Sequence, residues 1–434
     1  MEKVDILIHG CTILPMKNET FLEDGAIAIK NGKIAFIGKS KLASNIKAEK
    51  RIDAKGKAAM PGLINCHTHV PMTLFRGIAE DKPLNSWLKE TIWPLESKLK
   101  LGDIHVGALL GCLEMIRSGT TCFADMYFRE DFVAKAIAES GLRGVLAQGI
   151  FEAGNKMRGE KLLSEGVNFA ENFHGYANDR VRVMLGPHAA YSCSPELLIK
   201  VVKNASELGV GVHTHLAESE LMFEEFKKKY GLSEVEFLEK IGFFKNHALA
   251  AHCIILSMKD MHILSKHDVN AVYVPVANMK LGLGVAKIND LIDLGVNIGL
   301  GTDGPASNNS LDMFETMKIG ALLQKLTYLN PIVMPAFEVL KMATINGAKA
   351  LGLDDSIGSI ELGKKADIIL IDLLAPHLKP LHNIYSTIVY SARSSDVETV
   401  IVDGKILMEN REIKTLDEQA IMKKATEKAL DLLS

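Results

Sequence analysis

Short apolar runs alternate with amphipathic windows through the middle of the chain, from about residue 59 onward. Eight runs read as strands buried on both faces; they are 59–65, 120–126, 142–148, 180–187, 210–216, 248–253, 271–276 and 296–302. Helical periodicity lies between them, as at 103–117, 131–139, 195–207 and 258–266. A step of about 34 residues suits a β-helix-β unit, which needs roughly 30. The pattern predicts an α/β fold with a (β/α)8 TIM barrel over 59–360.

Both ends of the chain are instead rich in β-formers. Residues 26–30 and 33–37 flank Asn31-Gly32, which predicts a hairpin. After a last helix near 335–351, strands are predicted at 367–372, 386–389 and 397–402, and an amphipathic helix at 416–433. We therefore expect residues 1–58 and 361–434 to pair into one small β-sandwich domain beside the barrel, with the helix at its end.

Composition and charge narrow the classes of function. The 434 residues are 47% hydrophobic and carry a net charge of -3, so no nucleic-acid or membrane partner is expected. The six cysteines include no CxxC pair and indicate reduced, mostly buried thiols. The first residues lack the apolar core of a signal peptide, and no run approaches the ~18 apolar residues of a membrane span. A cytoplasmic protein is predicted.

Polar residues follow several of the predicted strands at their carboxyl ends. His67 and His69 are two apart, so along a strand they share one face. His215 and Asp303 follow two other strands. Because the carboxyl ends of barrel strands meet at one mouth, these four side chains are expected to converge. Three nitrogens and one oxygen predict a divalent metal site, for zinc or iron.

Each of these positions also has an ordinary structural interpretation. His213 lies two residues before His215 and could be the ligand in its place. Asp303 could serve only as a turn former, and His252 only as a hydrogen-bonded buried histidine. The placement of all of them at strand ends favours the metal site.

The motifs carrying these residues resemble those of the amidohydrolase superfamily. They are 61–69 (PGLINCHTH), 215–218 (HLAE), 251–253 (AHC) and 301–304 (GTDG). Within it the chain is most similar to the 5-methylthioadenosine/S-adenosylhomocysteine deaminases, a resemblance supported by 304–310 (GPASNNS), 86–88 (SWL) and Glu96. The resemblance covers nearly the whole chain, including the divided small domain.

The resemblance implies one divalent metal per subunit, Zn²⁺ or Fe²⁺, held by His67, His69, His215 and Asp303. Relatives with two metals usually carry a carboxylated lysine at the end of the fourth strand. This chain has 186–188 (GPH) there, which favours a single metal.

The resemblance also assigns roles in hydrolytic deamination. Asp303 would take a proton from the attacking water, and Glu218 would pass it to a ring nitrogen of the substrate. His252 would steady the tetrahedral intermediate, while His188 would hydrogen-bond the purine. The expected substrates are 5′-substituted adenosines, and the products are inosine analogues and ammonia.

Four further residues bear on which substrate is used. Glu96 would bind the ribose hydroxyls, or is a solvated helix carboxylate; Trp87 would wall the pocket, or is a core tryptophan. Relatives acting on S-adenosylhomocysteine carry two arginines after the third strand. Here Gln148 replaces the first, and Arg158 aligns with the second. We therefore predict that methylthioadenosine, 5′-deoxyadenosine and adenosine are used at least as well as S-adenosylhomocysteine.

Other functions stay open at this point. A guanine, other free-base or s-triazine aminohydrolase would use the same scaffold, and Glu96 argues against it. An amide-ring hydrolase of the dihydropyrimidinase type would need the missing bridging lysine. A scaffold without activity is disfavoured because every ligand and proton-transfer position is filled. The expected partner is a small purine nucleoside, and a homo-oligomer is left open.

Overall fold

A computed structural model of the chain describes residues 3–78 and 80–433. Strands of this part of the chain form two sheets, one parallel and one mixed. The strands are β1 (Val4–Ile13), β2 (Leu22–Lys30), β3 (Lys33–Lys39), β4 (Ala48–Asp53), β5 (Lys57–Pro61), β6 (Leu63–Thr68), β7 (Thr120–Tyr127), β8 (Arg143–Ile150), β9 (Val181–Pro187), β10 (Val212–Leu216), β11 (Ala248–His252), β12 (Asn270–Tyr273), β13 (Asn297–Leu300), β14 (Ile368–Asp372), β15 (Val397–Val402), β16 (Lys405–Glu409) and β17 (Glu412–Ile413).

Strands β6 to β13 follow one another in chain order and form the predicted barrel. Neighbouring strands pair in parallel, as where His215 of β10 faces Ala251 of β11. Between the last and first strands the wall is joined by single contacts, among them the bond from the Asp303 amide to the His67 carbonyl (2.9 Å). The carboxyl ends of all eight strands therefore open at one mouth.

Helices connect the barrel strands, and further helices follow the last of them. Among the described residues, the α-helices of six residues or more are Leu101–Ser118, Glu130–Ser140, Lys156–Phe173, Pro195–Leu208, Glu220–Tyr230, Glu234–Lys240, Met258–Lys266, Pro275–Lys280, Ile288–Asp293, Met313–Thr327, Ala336–Met342, Ile345–Ala350, Ile384–Tyr390 and Glu418–Leu433. The predicted helix near 335–351 is thus two helices. The break falls at Thr344, whose backbone leaves the helical region (φ -136°, ψ -99°).

The first predicted strand, 59–65, is in fact divided between the two sheets. β5 ends at Pro61 in the mixed sheet, and β6 begins at Leu63 in the barrel. The chain crosses at Gly62, where a Cβ atom would lie 2.1 Å from the side chain of Thr121. Only glycine lets the backbone pass this close to β7.

The two ends of the chain pair as predicted. The mixed sheet has the order β17-β16-β15-β14-β5-β1-β2-β3, with β4 also paired to β1. β5 joins the halves because it lies between β1 and β14. The sheet encloses its own apolar core, which includes Ile8, Ile27, Ile368 and Ile401. The domain boundaries at 58 and 360 stay a prediction.

The predicted strand at 386–389 is wrong, because these residues lie in the helix Ile384–Tyr390. The Asn383 side chain accepts a hydrogen bond from the Ser386 amide (2.9 Å) and begins the helix. Ile384 and Ile388, one helical turn apart, are both buried. A short β-branched run does not separate strand from helix by its periodicity, and here packing decides.

Two expectations from composition concern the cysteines and the membrane. All six cysteines are buried, and none forms a disulfide. Among the described residues, no helix combines the length and apolar character needed to cross a bilayer.

We expect the free energy of unfolding to depend on a buried ion pair between the two sheets. Arg143 of β8 donates to the Asp367 carboxylate (Nε to Oδ2, 2.9 Å), and both side chains are at most 5% exposed. Arg143→Met leaves that charge unpaired and should destabilise the protein by about 3–5 kcal/mol in chemical unfolding. Arg117→Met, which breaks a more exposed pair with Glu418, should cost no more than about 1 kcal/mol. Equal losses in the two variants would contradict the prediction.

Candidate active site

Four polar side chains meet at the mouth of the barrel, at the carboxyl ends of three strands. His67 lies in β6, His69 follows its end, His215 lies in β10 and Asp303 follows β13. Asp303 Oδ1 is 3.3 Å from His69 Nε2 and 3.7 Å from His67 Nε2. The Nε2 atoms of His69 and His215 are 3.4 Å apart. The four residues predicted as ligands are therefore brought together.

The Nδ1 atoms of these histidines all bond away from the centre. His69 Nδ1 donates to the Met126 carbonyl (2.6 Å), and His215 Nδ1 donates to the His188 carbonyl (2.7 Å). Because a neutral imidazole carries one N–H, each of these rings in its neutral form directs a bare Nε2 toward the centre. His67 Nε2 is buried and without a hydrogen-bond partner.

This arrangement fits a divalent metal. A tetrahedral metal with bonds of 2.0–2.1 Å separates its ligand atoms by about 3.3–3.4 Å, close to the distances found here. Burial holds the pKa of His67 and His215 well below the usual range, so both are neutral, as ligands must be. Burial acts on His69 too, but Asp303 outweighs it and raises the pKa of His69 to about 9. The surroundings of Asp303 thus favour a positive charge at the centre of the four side chains. Their donor set of three nitrogens and one oxygen suits zinc.

Glu218 and His252 form a second pair beside the four ligands. Glu218 Oε1 lies 3.7 Å from His252 Nε2. Burial raises the pKa of Glu218, which favours its protonated form. On its other side, His252 Nδ1 bonds the Asn278 side-chain oxygen (2.9 Å), so that Nε2 is directed toward Glu218. The pair can therefore hold and pass a proton next to the metal site.

A cavity of about 850 Å³ opens over this group, a size suited to a small molecule. Most of the residues predicted to bind the substrate line it. They are Trp87, Glu96, Arg158, His188 and Glu218, together with His69, His215, His252 and Asp303. His67 lies deeper, because its side chain is fully buried.

His188 follows β9 and lines the wall of the cavity. Its Nδ1 bonds the Ser192 hydroxyl at 3.0 Å. Burial lowers the pKa of His188 to about 4, so the ring is neutral at physiological pH. A neutral histidine held at one nitrogen can offer the other to a polar atom of a ligand.

Glu96 and Trp87 come from the long connection between β6 and β7. Trp87 begins a π-helical segment (Trp87–Ile92), and its side chain is buried among apolar neighbours while lining the cavity. Both interpretations of Trp87 are therefore compatible with its position. Glu96 is partly buried, and burial raises its pKa to about 7. That environment differs from the solvated helix carboxylate considered above.

Gln148 and Arg158 differ in their relation to the cavity. Gln148 is 5% exposed, lies outside the cavity lining, and its Oε1 accepts from the Glu130 amide at 3.4 Å. This position does not support the predicted contact between Gln148 and a substrate. Arg158 stands at the mouth, with its guanidinium 4.1 Å from the ring centroid of Phe151. It is exposed and free to meet a ligand group there.

Three residues of the site escaped the sequence analysis. Asn278 bonds His252, and Tyr127 lies near Glu96; burial raises the pKa of the tyrosine, and the nearby carboxyl group adds to this. The ring of Phe151 lies under the guanidinium group of Arg158. Tyr127 ends β7 and Phe151 follows β8, whereas Asn278 lies in the helix Pro275–Lys280 after β12. Extending the search to aromatic residues at the strand ends would have found Tyr127 and Phe151, but not Asn278.

Comparisons with known proteins agree with this geometry. The sequence model of the amidohydrolase family matches residues 58–407. A 5′-deoxyadenosine deaminase of Methanosarcina acetivorans is 47% identical over 99% of both chains. A 5-methylthioadenosine/S-adenosylhomocysteine deaminase of Desulforamulus reducens is 45% identical over 98% of this chain and 99% of its own. The crystal structure of an adenosine deaminase from Xanthomonas campestris with bound zinc superposes with a TM-score of 0.95, at 31% identity over 100% of this chain and 99% of its own.

We expect metal content to follow the four-residue cluster. The protein loaded with zinc and desalted should retain one metal ion per chain, while His69→Ala should retain far less, because it loses a ligand. Elemental analysis measures both. His105→Ala is the control, since this histidine lies on an outer helix and contacts the Phe132 carbonyl. Full metal content in His69→Ala would show that these residues are not the ligands.

Proposed function

The chain belongs to the amidohydrolase family, and on that basis we propose that it is a metal-dependent deaminase of 5′-substituted adenosines. Water replaces the amino group on C6 of the adenine ring, and the products are ammonia and the inosine analogue. The observation that carries the proposal is that Asp303, Glu218 and Glu96 line one cavity. Those three carboxyl groups combine metal binding, proton transfer and a polar contact for a sugar.

The metal belongs to the ligand cluster described above. His67, His69, His215 and Asp303 would hold it. Such an ion lowers the pKa of bound water toward ~7, and this is the chemistry that it supplies.

The protein's own groups then handle the protons. Asp303 accepts one from the attacking water, and Glu218, protonated because of its burial, gives one to the ring nitrogen next to C6. That protonation makes C6 electrophilic. His252 hydrogen-bonds the incoming oxygen and steadies the tetrahedral intermediate. The C6–N bond breaks, the amino group leaves as ammonia with the proton that Asp303 accepted, and C6 keeps the oxygen, whose remaining proton returns to Glu218.

Contacts around the cavity would select a nucleoside. His188 is neutral and placed to hydrogen-bond the purine. Glu96, as a carboxylate, would accept hydrogen bonds from the two ribose hydroxyls. A site built for such hydroxyls rejects analogues that lack them by ~10⁴ or more. These contacts favour adenosines over guanine, other free bases or s-triazines, and the names of the relatives point the same way.

The 5′ end of the substrate would lie toward the mouth. Gln148 is outside the cavity lining there, and Arg158 offers one exposed cation. With a single arginine, we propose no preference for the amino-acid carboxylate of S-adenosylhomocysteine. A cytoplasmic location stays a prediction, and the oligomeric state stays open.

Ammonia release from the zinc-loaded protein tests the proposal. We expect turnover of 5′-deoxyadenosine, methylthioadenosine and adenosine, with kcat/KM at least equal to that of S-adenosylhomocysteine. Guanine and cytosine should not react, and Asp303→Asn serves as the blank. A strong preference for S-adenosylhomocysteine would contradict the proposed 5′ specificity. Turnover of a free base alone would overturn the nucleoside assignment.

Glu96→Ala should discriminate between nucleosides and substrates without ribose hydroxyls. Losing hydrogen bonds to a charged acceptor costs about 1.5–3 kcal/mol, so kcat/KM for adenosine should fall about 10- to 150-fold. The value for 2′,3′-dideoxyadenosine should hardly change. Glu225→Ala, which removes an exposed carboxylate on the same cavity, is the matched control. Equal losses on both substrates would mean that Glu96 acts only through the fold.

The same carboxylate should leave a signature in the pH profile. Burial raises the pKa of Glu96 to about 7, and the charged form needed to accept hydrogen bonds is present above that value. The ratio of kcat/KM for adenosine to that for 2′,3′-dideoxyadenosine should therefore fall as the pH drops below about 7. In Glu96→Gln the ratio should be independent of pH in this range.

A further inference from the structure

We propose that His213 is a positioning residue that holds the ring of His67 with its Nε2 lone pair toward the metal. His213 Nε2 lies 2.9 Å from His67 Nδ1. Both side chains are fully buried, and the ring planes are nearly perpendicular, at 79°. The inference rests on the metal site of the proposed function and adds to it a residue outside the ligand set.

The position of His213 follows from the pleat of its strand. It precedes His215 by two residues in β10, so both side chains lie on the inner face of the barrel. His215 reaches the mouth, and His213 lies one layer deeper, against the back of His67. In the part of the chain that the structure describes, two groups of side chains have donor atoms close enough to share an ion: His67, His215 and His252, and His67, His69 and Asp303. His213 is in neither group, which argues against the alternative that it replaces His215 as a ligand.

The tautomers of the two rings are linked. For His67 Nε2 to bind a cation it must be bare, so the proton lies on Nδ1 and is donated to His213 Nε2. His213 must then carry its own proton on Nδ1, an atom that is buried and has no hydrogen-bond partner. Burying an unpaired donor costs about 1–3 kcal/mol, which an apolar side chain in this layer would avoid. The hydrogen bond to His67 is the contact that would explain why an imidazole occupies this position.

His67 differs in this respect from the other two histidine ligands. The Nδ1 atoms of His69 and His215 donate to backbone carbonyls, which can only accept and cannot be removed by substitution. The orientation of the His67 ring depends instead on the side chain of His213. A substitution can remove that side chain, and its ring nitrogen can either accept or donate a hydrogen bond. Contacts of this kind behind a metal ligand typically change metal affinity by 10- to 100-fold.

The test measures zinc affinity by competition with a chelator, without substrate. His213→Met removes the acceptor and should weaken zinc binding about 10- to 100-fold. His213→Gln can place an amide oxygen near the Nε2 position and should stay within a few-fold of the wild type. His213→Asn is too short to reach His67 and should resemble Met. The Gln and Asn variants keep the test decisive if the Met variant fails to fold.

A residue that only fills the core would give a different pattern. The unfolding temperature of the metal-free protein would then fall in the variants, while zinc affinity stayed at the wild-type value; this overturns the proposal. His247→Met is the control, because it removes a histidine that bonds a backbone carbonyl away from the metal cluster. It should leave zinc affinity unchanged. If the wild type itself does not bind zinc, the metal site of the proposed function fails, and this inference fails with it. Normal zinc binding by the wild type with equal affinity in His213→Met rejects the inference alone.

Discussion

The site depends on how the last strand of the barrel is joined to the first. Asn65 makes the junction, because its side-chain oxygen accepts from the Thr302 amide (3.0 Å) and its NH₂ group donates to the Thr302 hydroxyl (2.7 Å). One residue further, the Asp303 amide donates to the His67 carbonyl. These bonds fix the register between two segments that are more than 230 positions apart in the chain. A slip of one residue would turn each side chain to the opposite face and separate the carboxylate from the imidazoles.

Much of this site could be predicted because strand ends are visible in the sequence. Parallel strands read as apolar runs, and a polar residue just after such a run is brought to the shared mouth whatever the loops do. Strand prediction from apolar runs fails where nothing in the run shows that it is divided. At Gly62 one apolar run contains two strands, which belong to different sheets. Sequence prediction also fails for residues that act through a partner. Asn278 and His213 acquire their roles only from the positions of His252 and His67, which sequence spacing does not provide.

The backbone at the mouth is bent in a way that the strand pattern does not reveal. Ala217, His252, Cys253 and Asp303 have positive φ, between 50° and 75°, although none is glycine. Such conformations cost of order 1–3 kcal/mol each and persist only where surrounding contacts enforce them. Here the enforcing bonds run between neighbouring strands, as from the Cys253 amide to the Leu216 carbonyl (2.9 Å). Hydrogen bonds within the barrel wall thus hold the backbone in these strained conformations. The strain turns the side chains away from regular strand geometry at the mouth, where the proposed chemistry takes place.

Two glutamates of one cavity have opposite tasks in the proposed reaction, although burial acts on both in the same direction. Burial raises the pKa of both Glu218 and Glu96. In the proposed reaction Glu218 carries a proton to a ring nitrogen, so for this residue the raised pKa is useful; burial is its largest cause, and it outweighs the lowering by His252. In the proposed substrate complex Glu96 is charged and accepts from hydroxyl groups, and Tyr127 acts in that direction by lowering the pKa that burial raises. A bound ribose would favour the carboxylate in the same sense, since hydrogen bonds to the charged form stabilise it. Substrate binding and proton transfer could therefore share one desolvated cavity, because burial raises the pKa of both carboxyl groups and the ribose would favour the charged form only at Glu96.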